Sequence, residues 1–338
     1  MTVYAARDNA APEPMSDAPP AASDDVAALP FDIHCIDTGL FRPRLVASYL
    51  VRGGEEYAFI ECGASRSVPR LLGALEQLGI DRSQLRYVMP THVHLDHAGG
   101  AGALLAALPQ ARLVIHPRGA RHMIDPRALW QGAAQVYGEA ALERHYGALV
   151  PVAEQRMLVA TDGFEISLGD RRLRCIDTPG HARHHYCVWD AASRGLFSGD
   201  TLGMRYRELD TPAGPFLLPT TTPVQFDPPA WHDTLARFAA LAPARAFVTH
   251  YGMVENVVAL IGDLGRRIDA HARIAESFAG AGDRTARIAA ALMAATVAEL
   301  DQLGCDLDAA GRDRVLAWDM QLNAGGLDVW LTTRRARR

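Results

Sequence analysis

The sequence predicts an α/β chain layered as a sandwich, with strands meeting strands and helices outside. Three observations carry this. Two sets of short β-rich runs, broken by Gly, Pro and charged residues, begin near Phe31 and Gly163. Each set gives way to stretches whose apolar residues recur at helical spacing. From about Val254 the chain is mostly helical and rich in Ala and Leu.

The elements follow in order. Residues 1–30 are rich in Ala, Pro, Asp and Ser and predict a disordered lead-in ending near Pro30. They lack the basic start and apolar core of a signal peptide. "FDIHCID", "LVASYLV" and "EYAFIEC" predict a hairpin or meander. "SVPRLLGALEQLGI" spaces Leu71, Leu72, Leu75, Leu78 and Ile80 as a helix. "LRYVMPTH" is a buried strand, and Gly99 and Gly100 let a small-residue helix start close against it. "ARLVIHP" is a further strand. Residues 118–148 read as helical and carry Trp130, Tyr137, His145 and Tyr146, as a lid or as an outer layer.

"GFEISLG", "RRLRCIDTPG", "HYCVWD" and "GLFSGD" form the second strand set. The helix "PAWHDTLARFAAL" and the strand "RAFVTHYG" follow. The expected organisation is a lead-in over 1–30, a catalytic domain over 31–255 and a helical C-terminal extension over 256–338. The basic tail reads as a solvated end.

Composition narrows the function. The chain has 338 residues, 49% apolar and 22% charged, as in an ordinary soluble globular protein. A net charge of −5 argues against a nucleic-acid partner, and no stretch of about 18 apolar residues predicts a membrane span. All 34 basic residues are arginine, which removes lysine Schiff-base chemistry and a lysine phosphate clamp. Cys35, Cys62, Cys175, Cys187 and Cys305 are scattered and odd in number, so they read as reduced thiols of a cytoplasmic protein.

The chemistry concentrates in "PTHVHLDHAGG", which packs His92, His94, Asp96 and His97 into six positions. His92 and His94, two apart, share a face of an extended segment. Asp96 and His97 follow where the chain turns into the glycine-opened helix, although Asp96 could also serve as a helix cap. Three further donors stand where a strand ends: His181 in "TPGH", Asp200 in "SGD" and His250 in "THYG". The seven divide into His92, His94 and His181 for one metal, and Asp96, His97 and His250 for another, with Asp200 able to bridge. Imidazole and carboxylate together suit zinc, and also iron or manganese. Two divalent ions about 3.5–4 Å apart stabilise a hydroxide nucleophile and polarise a carbonyl or phosphoryl oxygen. Asp96 can hold the attacking water and receive its proton.

These motifs resemble the metallo-β-lactamase superfamily, over roughly residues 31–255. The resemblance implies a four-layer αββα sandwich with a dinuclear centre at one edge and the ligand roles just given. All seven positions are kept, as in members like glyoxalase II and the lactonases. The cysteine ligand of some true β-lactamases is missing, which argues against antibiotic resistance.

The expected activity is a metal-dependent hydrolysis of an ester, lactone, thioester or similar small-molecule bond, with two divalent metal ions as cofactor. The expected partner is a small molecule, without nucleic acid or membrane, and a homodimer is allowed. Asp96 and Asp200 are the expected catalytic residues. Tyr206, in "GMRYREL" soon after Asp200, is a candidate for the leaving group or oxyanion. His184 and His185 are read as supports of the ligand shell. Two alternatives stand beside the hydrolase: an iron-dependent oxidoreductase of the persulfide-dioxygenase or flavodiiron type, and a metal-bound binding protein with little turnover.

Overall fold

The computed structural model describes residues 25–221 and 224–336. Most of the expected lead-in, residues 1–24, lies outside the described residues. Its last part departs from expectation. Val26–Leu29 form β1, paired antiparallel with β2 (Ile33–Asp37), from Val26 opposite Ile36 to Leu29 opposite Ile33. Strand pairing there outweighs a composition that reads as disorder.

The first sheet has seven strands in chain order. After β2 come β3 (Ala47–Gly53), β4 (Glu56–Ile60), β5 (Leu85–Met89), β6 (Arg112–Ile115) and β7 (Met157–Val159). β1 to β4 run antiparallel as the expected meander, and β4 to β7 run parallel. Parallel neighbours need crossovers. Here these are α1 (Val68–Gln77), then α2 (Leu95–Ala98) with α3 (Ala101–Ala107), then α4 (Pro117–Ile124), α5 (Arg127–Tyr137) and α6 (Glu139–His145). The second sheet comprises β8 (Glu165–Leu168), β9 (Arg171–Asp177), β10 (Tyr186–Asp190), β11 (Gly195–Gly199), β14 (Arg245–Val248) and β15 (Gly252–Glu255). Its order is β15-β14-β11-β10-β9-β8, and β12 (Met204–Arg205) pairs separately with β13 (Leu217–Leu218). Four helices complete the chain: α7 (Pro228–Leu241), α8 (Val257–Ser277), α9 (Arg284–Gln302) and α10 (Ala309–Ala336).

Two compact units result. One holds the described residues up to Ile176 together with Val188–Ser193, and the other holds Asp177–Cys187 and those from Arg194 onward. This division falls inside the 31–255 stretch, whereas the expected boundary at 255/256 coincides with the junction of β15 and α8.

In the first unit, α1 buries Leu71, Ala74 and Leu75, and α3 buries Leu104 and Leu105, against Phe59, Val88, Leu113 and Ile115 of the sheet. The 3.6-residue spacing read from α1 is the spacing of this buried stripe. The helical excursion packs its Trp130, Tyr137 and Tyr146 on a cluster that includes Leu95, the first residue of α2. It therefore braces the start of α2.

In the second unit, Phe197 of β11 stacks on Phe247 of β14 at 4.5 Å, and α7 buries Trp231 and Phe238 completely. α8, α9 and α10 pack on one another. Arg267 of α8 donates to Glu299 of α9 and to the Leu217 carbonyl of β13. Among the described residues, no helix is long and apolar enough to cross a membrane. The short elements β7, β12, β13, β15 and α2 were not foreseen, because runs of two to four residues carry no readable periodicity.

Candidate metal centre

In the first unit, β5 ends at Met89 and the chain bends through residues 91–94, so His92 and His94 do not lie on the straight extended segment expected. His94 itself is the N-terminal cap of α2, with its carbonyl accepting from the amides of His97 and Ala98. Asp96 therefore does not cap the helix. It lies in the first turn with its Oδ2 3.4 Å from His97 Nε2. Gly100 is needed just after: a Cβ there would sit 2.7 Å from the Cys62 carbonyl oxygen, and its amide donates to the Gly63 carbonyl at 2.8 Å.

Beneath the turn lies Glu61, 1% exposed. It accepts from the Thr91 amide at 3.1 Å, the Thr91 hydroxyl at 2.6 Å and His97 Nδ1 at 2.9 Å. A carboxylate that only accepts obliges His97 to carry a proton on Nδ1, so in the neutral ring the lone pair lies on Nε2. Because the Thr91 proton goes to Glu61, the Thr91 oxygen accepts from His92 Nδ1, 3.1 Å away. His92 Nε2 then stands 2.8 Å from His94 Nδ1. Two imidazole lone pairs that close repel unless a proton or a cation lies between them.

In the second unit, Pro179 and Gly180 turn the chain from β9 into His181. Gly180 has φ +137°, and a Cβ on it would meet Trp231 at 2.5 Å. The His181 Nδ1–H donates to the Thr220 carbonyl at 2.9 Å, again leaving the lone pair on Nε2. Asp200 follows β11 and divides its two oxygens. Oδ2 is 3.6 Å from His181 Nε2, and Oδ1 is 3.4 Å from His250 Nε2. His185, fully buried, holds this aspartate from behind: its Nε2 accepts from the Asp200 amide at 3.2 Å, and its Nδ1 meets Thr178 Oγ1 at 2.8 Å.

The seven expected donors thus gather within each unit: His92, His94, Asp96 and His97 in the first, and His181, Asp200 and His250 in the second. Five of them, His92, His97, His181, Asp200 and His250, are at most 5% exposed. Buried imidazoles whose protons are fixed on Nδ1 by outer partners are the form that ligates a divalent metal through Nε2. The residues fit such an ion.

Tyr206, the expected candidate for the leaving group or oxyanion, is buried in the second unit. Its hydroxyl donates to Asp319 Oδ2 of α10 at 2.7 Å, so the described geometry gives it a tethering bond. Cys62 is a packing thiol: its Sγ donates to the His97 carbonyl, and burial pushes the thiol far above its usual range. Burial also raises the Tyr146 phenol, with Tyr137 and Asp96 adding to the shift. Glu61, Thr91 and Thr220 stand in no motif that marks them. Glu61 could have been found by the sign used for Asp200, an acid ending an apolar strand. Thr220 could not, because it acts through its backbone.

A model of the metallo-β-lactamase superfamily matches residues 41–250. The chain belongs to that superfamily. ST1585, a metallo-β-lactamase fold-containing protein of Sulfurisphaera tokodaii, is 29% identical over 227 residues, 66% of this chain and 79% of ST1585. Its crystal structure superposes with a TM-score of 0.60 at 23% identity, covering 87% of this chain and 97% of that one, which shows the fold. The acyl-coenzyme A thioesterase MBLAC2 of Bos taurus is 32% identical over 171 residues, 46% of this chain and 57% of the thioesterase. The type A flavoprotein fprA of Rhodobacter capsulatus is 29% identical over 160 residues, 47% of this chain and 32% of the flavoprotein. The chain thus spans just over half of the thioesterase and a third of the flavoprotein. The expected superfamily fold, two sheets with flanking helices and a helical C-terminal extension, is the one found.

Proposed function

We propose that this superfamily member is a metal-dependent hydrolase of an ester, lactone, thioester or similar small-molecule bond, with two divalent metal ions as cofactor. The observation that carries the reading is Asp200, which turns one oxygen toward His181 and the other toward His250. That is the posture of a carboxylate shared by two ions. In this reading His92, His94 and His181 serve one ion, Asp96, His97 and His250 the other, and Asp200 both. The nitrogen and oxygen donors suit zinc, and also iron or manganese. When bound, such a pair supplies a hydroxide nucleophile at neutral pH and polarises the substrate carbonyl.

The chain's own groups do the rest. Asp96 keeps 25% of its side-chain surface open, so a water can reach it, be held and give up its proton there. Glu61 and Thr220 fix the tautomers of His97 and His181. The MBLAC2 match supports thioesters as the first substrates to assay. Five free, buried cysteines accord with a reducing, cytoplasmic setting.

A second reading, an iron-dependent oxidoreductase, is favoured by the match to the flavoprotein. Elemental analysis of protein purified without added metal separates the two. About two zinc ions per chain, together with thioester or ester turnover that Asp96→Ala and Asp200→Ala each abolish without unfolding, is the expected result. A single iron with oxygen uptake on persulfides would replace the hydrolase by the oxidoreductase. Near-normal rates in both metal-loaded variants would exclude the dinuclear mechanism.

A further inference from the structure

The C-terminal helix reaches back to the segments that carry the second unit's donors, and it does so with polar groups. α10 is apolar on its buried face, with Leu316, Met320, Ala324, Leu327 and Leu331 at helical spacing. Set into that face is Asn323, 1% exposed. A buried amide is tolerated only when its donors and acceptors are met. Here they are met by one short segment. Asn323 Oδ1 accepts from the Thr221 amide at 2.6 Å, and Nδ2 donates to the Pro219 carbonyl at 3.0 Å. The Asn323 main-chain carbonyl accepts from the Thr221 hydroxyl at 3.0 Å.

The side chain therefore grips the backbone on either side of Thr220, much as a neighbouring strand would. The residue in the middle of that grip is the one whose carbonyl accepts from His181 Nδ1. One turn earlier on the same helix face, Asp319 accepts from the Tyr206 hydroxyl, six residues past Asp200. One face of α10 thus holds the segment behind His181 and the segment that follows Asp200.

We propose that Asn323 is a positioning residue for His181: by clamping residues 219–221 it aims the Thr220 carbonyl that fixes the His181 tautomer, so that α10 governs how tightly the His181 metal ion is held. The proposal rests on the dinuclear reading for its metal, and on the hydrogen bonds alone for its geometry. Outer partners of ligating histidines are worth roughly 10–100-fold in metal affinity. An indirect partner such as Asn323 falls at the lower end of that range.

The test compares full-length wild type with Asn323→Ala, Asn323→Asp and Leu327→Ala. Two quantities are read: zinc affinity by competition with a chromophoric chelator, and the His181 ring nitrogens by NMR of histidine-labelled protein, assigned with His181→Ala. Asn323→Ala is expected to weaken one of the two ions about tenfold, leave the other unchanged and disturb the Nδ1–H signal of His181. Asn323→Asp keeps the acceptor for the Thr221 amide but not the donor to Pro219, so it should fall between. It decides the matter if the alanine variant does not fold. Leu327→Ala removes packing without touching the clamp, and should lower stability while sparing affinity and the ring signal. Unchanged affinity and an unchanged His181 signal in the Asn323 variants would overturn the proposal. If the wild type binds no metal, the dinuclear reading fails, and the ring signal alone still upholds or overturns the clamp.

Discussion

Glu61 Oε1 lies 2.9 Å from His97 Nδ1 in a place where neither side chain is more than 1% exposed. The carboxylate also takes both protons that Thr91 can offer, from its amide and from its hydroxyl. One buried acid thus fixes His97 and the start of the segment that carries the candidate donors.

Glu61→Gln tests this directly. The amide that replaces the carboxylate can still accept, but its NH2 group finds an acceptor only if the Thr91 hydroxyl reorients or the His97 proton moves to Nε2. The variant is expected to lose about 1–3 kcal/mol of stability, read by urea unfolding, from the polar group left unmet. It should also bind metal roughly 10–100-fold more weakly, read by chelator competition. Unaltered metal affinity would show that His97 orientation does not depend on Glu61.

Gly180 is the second test. Its φ of +137° is one that only glycine adopts readily, and the missing Cβ is the space that Trp231 fills. Gly180→Ala is expected to cost about 1–3 kcal/mol through backbone strain, with more from the clash, and to displace His181. Gly132, inside α5 with nothing within 4 Å of its Cβ position, provides the contrast. Gly132→Ala should raise stability by up to about 1 kcal/mol through helix propensity. Denaturant midpoints of the two variants should move in opposite directions.

The third test concerns acid. His271 of α8 is 5% exposed, and burial, with Arg267 adding to it, depresses its imidazole to about 4. In the unfolded chain the same ring titrates near its ordinary value of about 6.5. As pH falls, the unfolded state therefore takes up this proton first. The contribution to stability is full above about 6.5 and is lost as pH falls toward about 4, amounting to about 3 kcal/mol. His271→Leu should flatten the difference in unfolding free energy between pH 7 and pH 5 relative to wild type. Equal differences in the two proteins would place the acid sensitivity in other groups.

The readable parts of the fold were those with a period or a distinctive composition. The buried stripe of α1 follows from side-chain spacing, the first meander from short β-rich runs between Gly, Pro and charged residues, and the C-terminal helices from a composition rich in Ala and Leu. β1 was hidden because its composition reads as disorder, and only pairing with β2 makes it a strand. β7 and β15 were hidden because three or four residues show no pattern.

The same contrast runs through the candidate site. The seven donors were legible because they are chemically distinctive and stand at strand ends, in motifs only a few residues long. What orients them was not. Glu61 is 36 residues from His97, Thr220 is 39 from His181, and Asn323 is 102 from Thr221. A linear sequence states which side chains can ligate a metal. Which nitrogen of each imidazole carries the proton depends on hydrogen bonds between residues that only folding brings within 3 Å. Some of those bonds run through backbone carbonyls, which every residue has and no sequence motif marks.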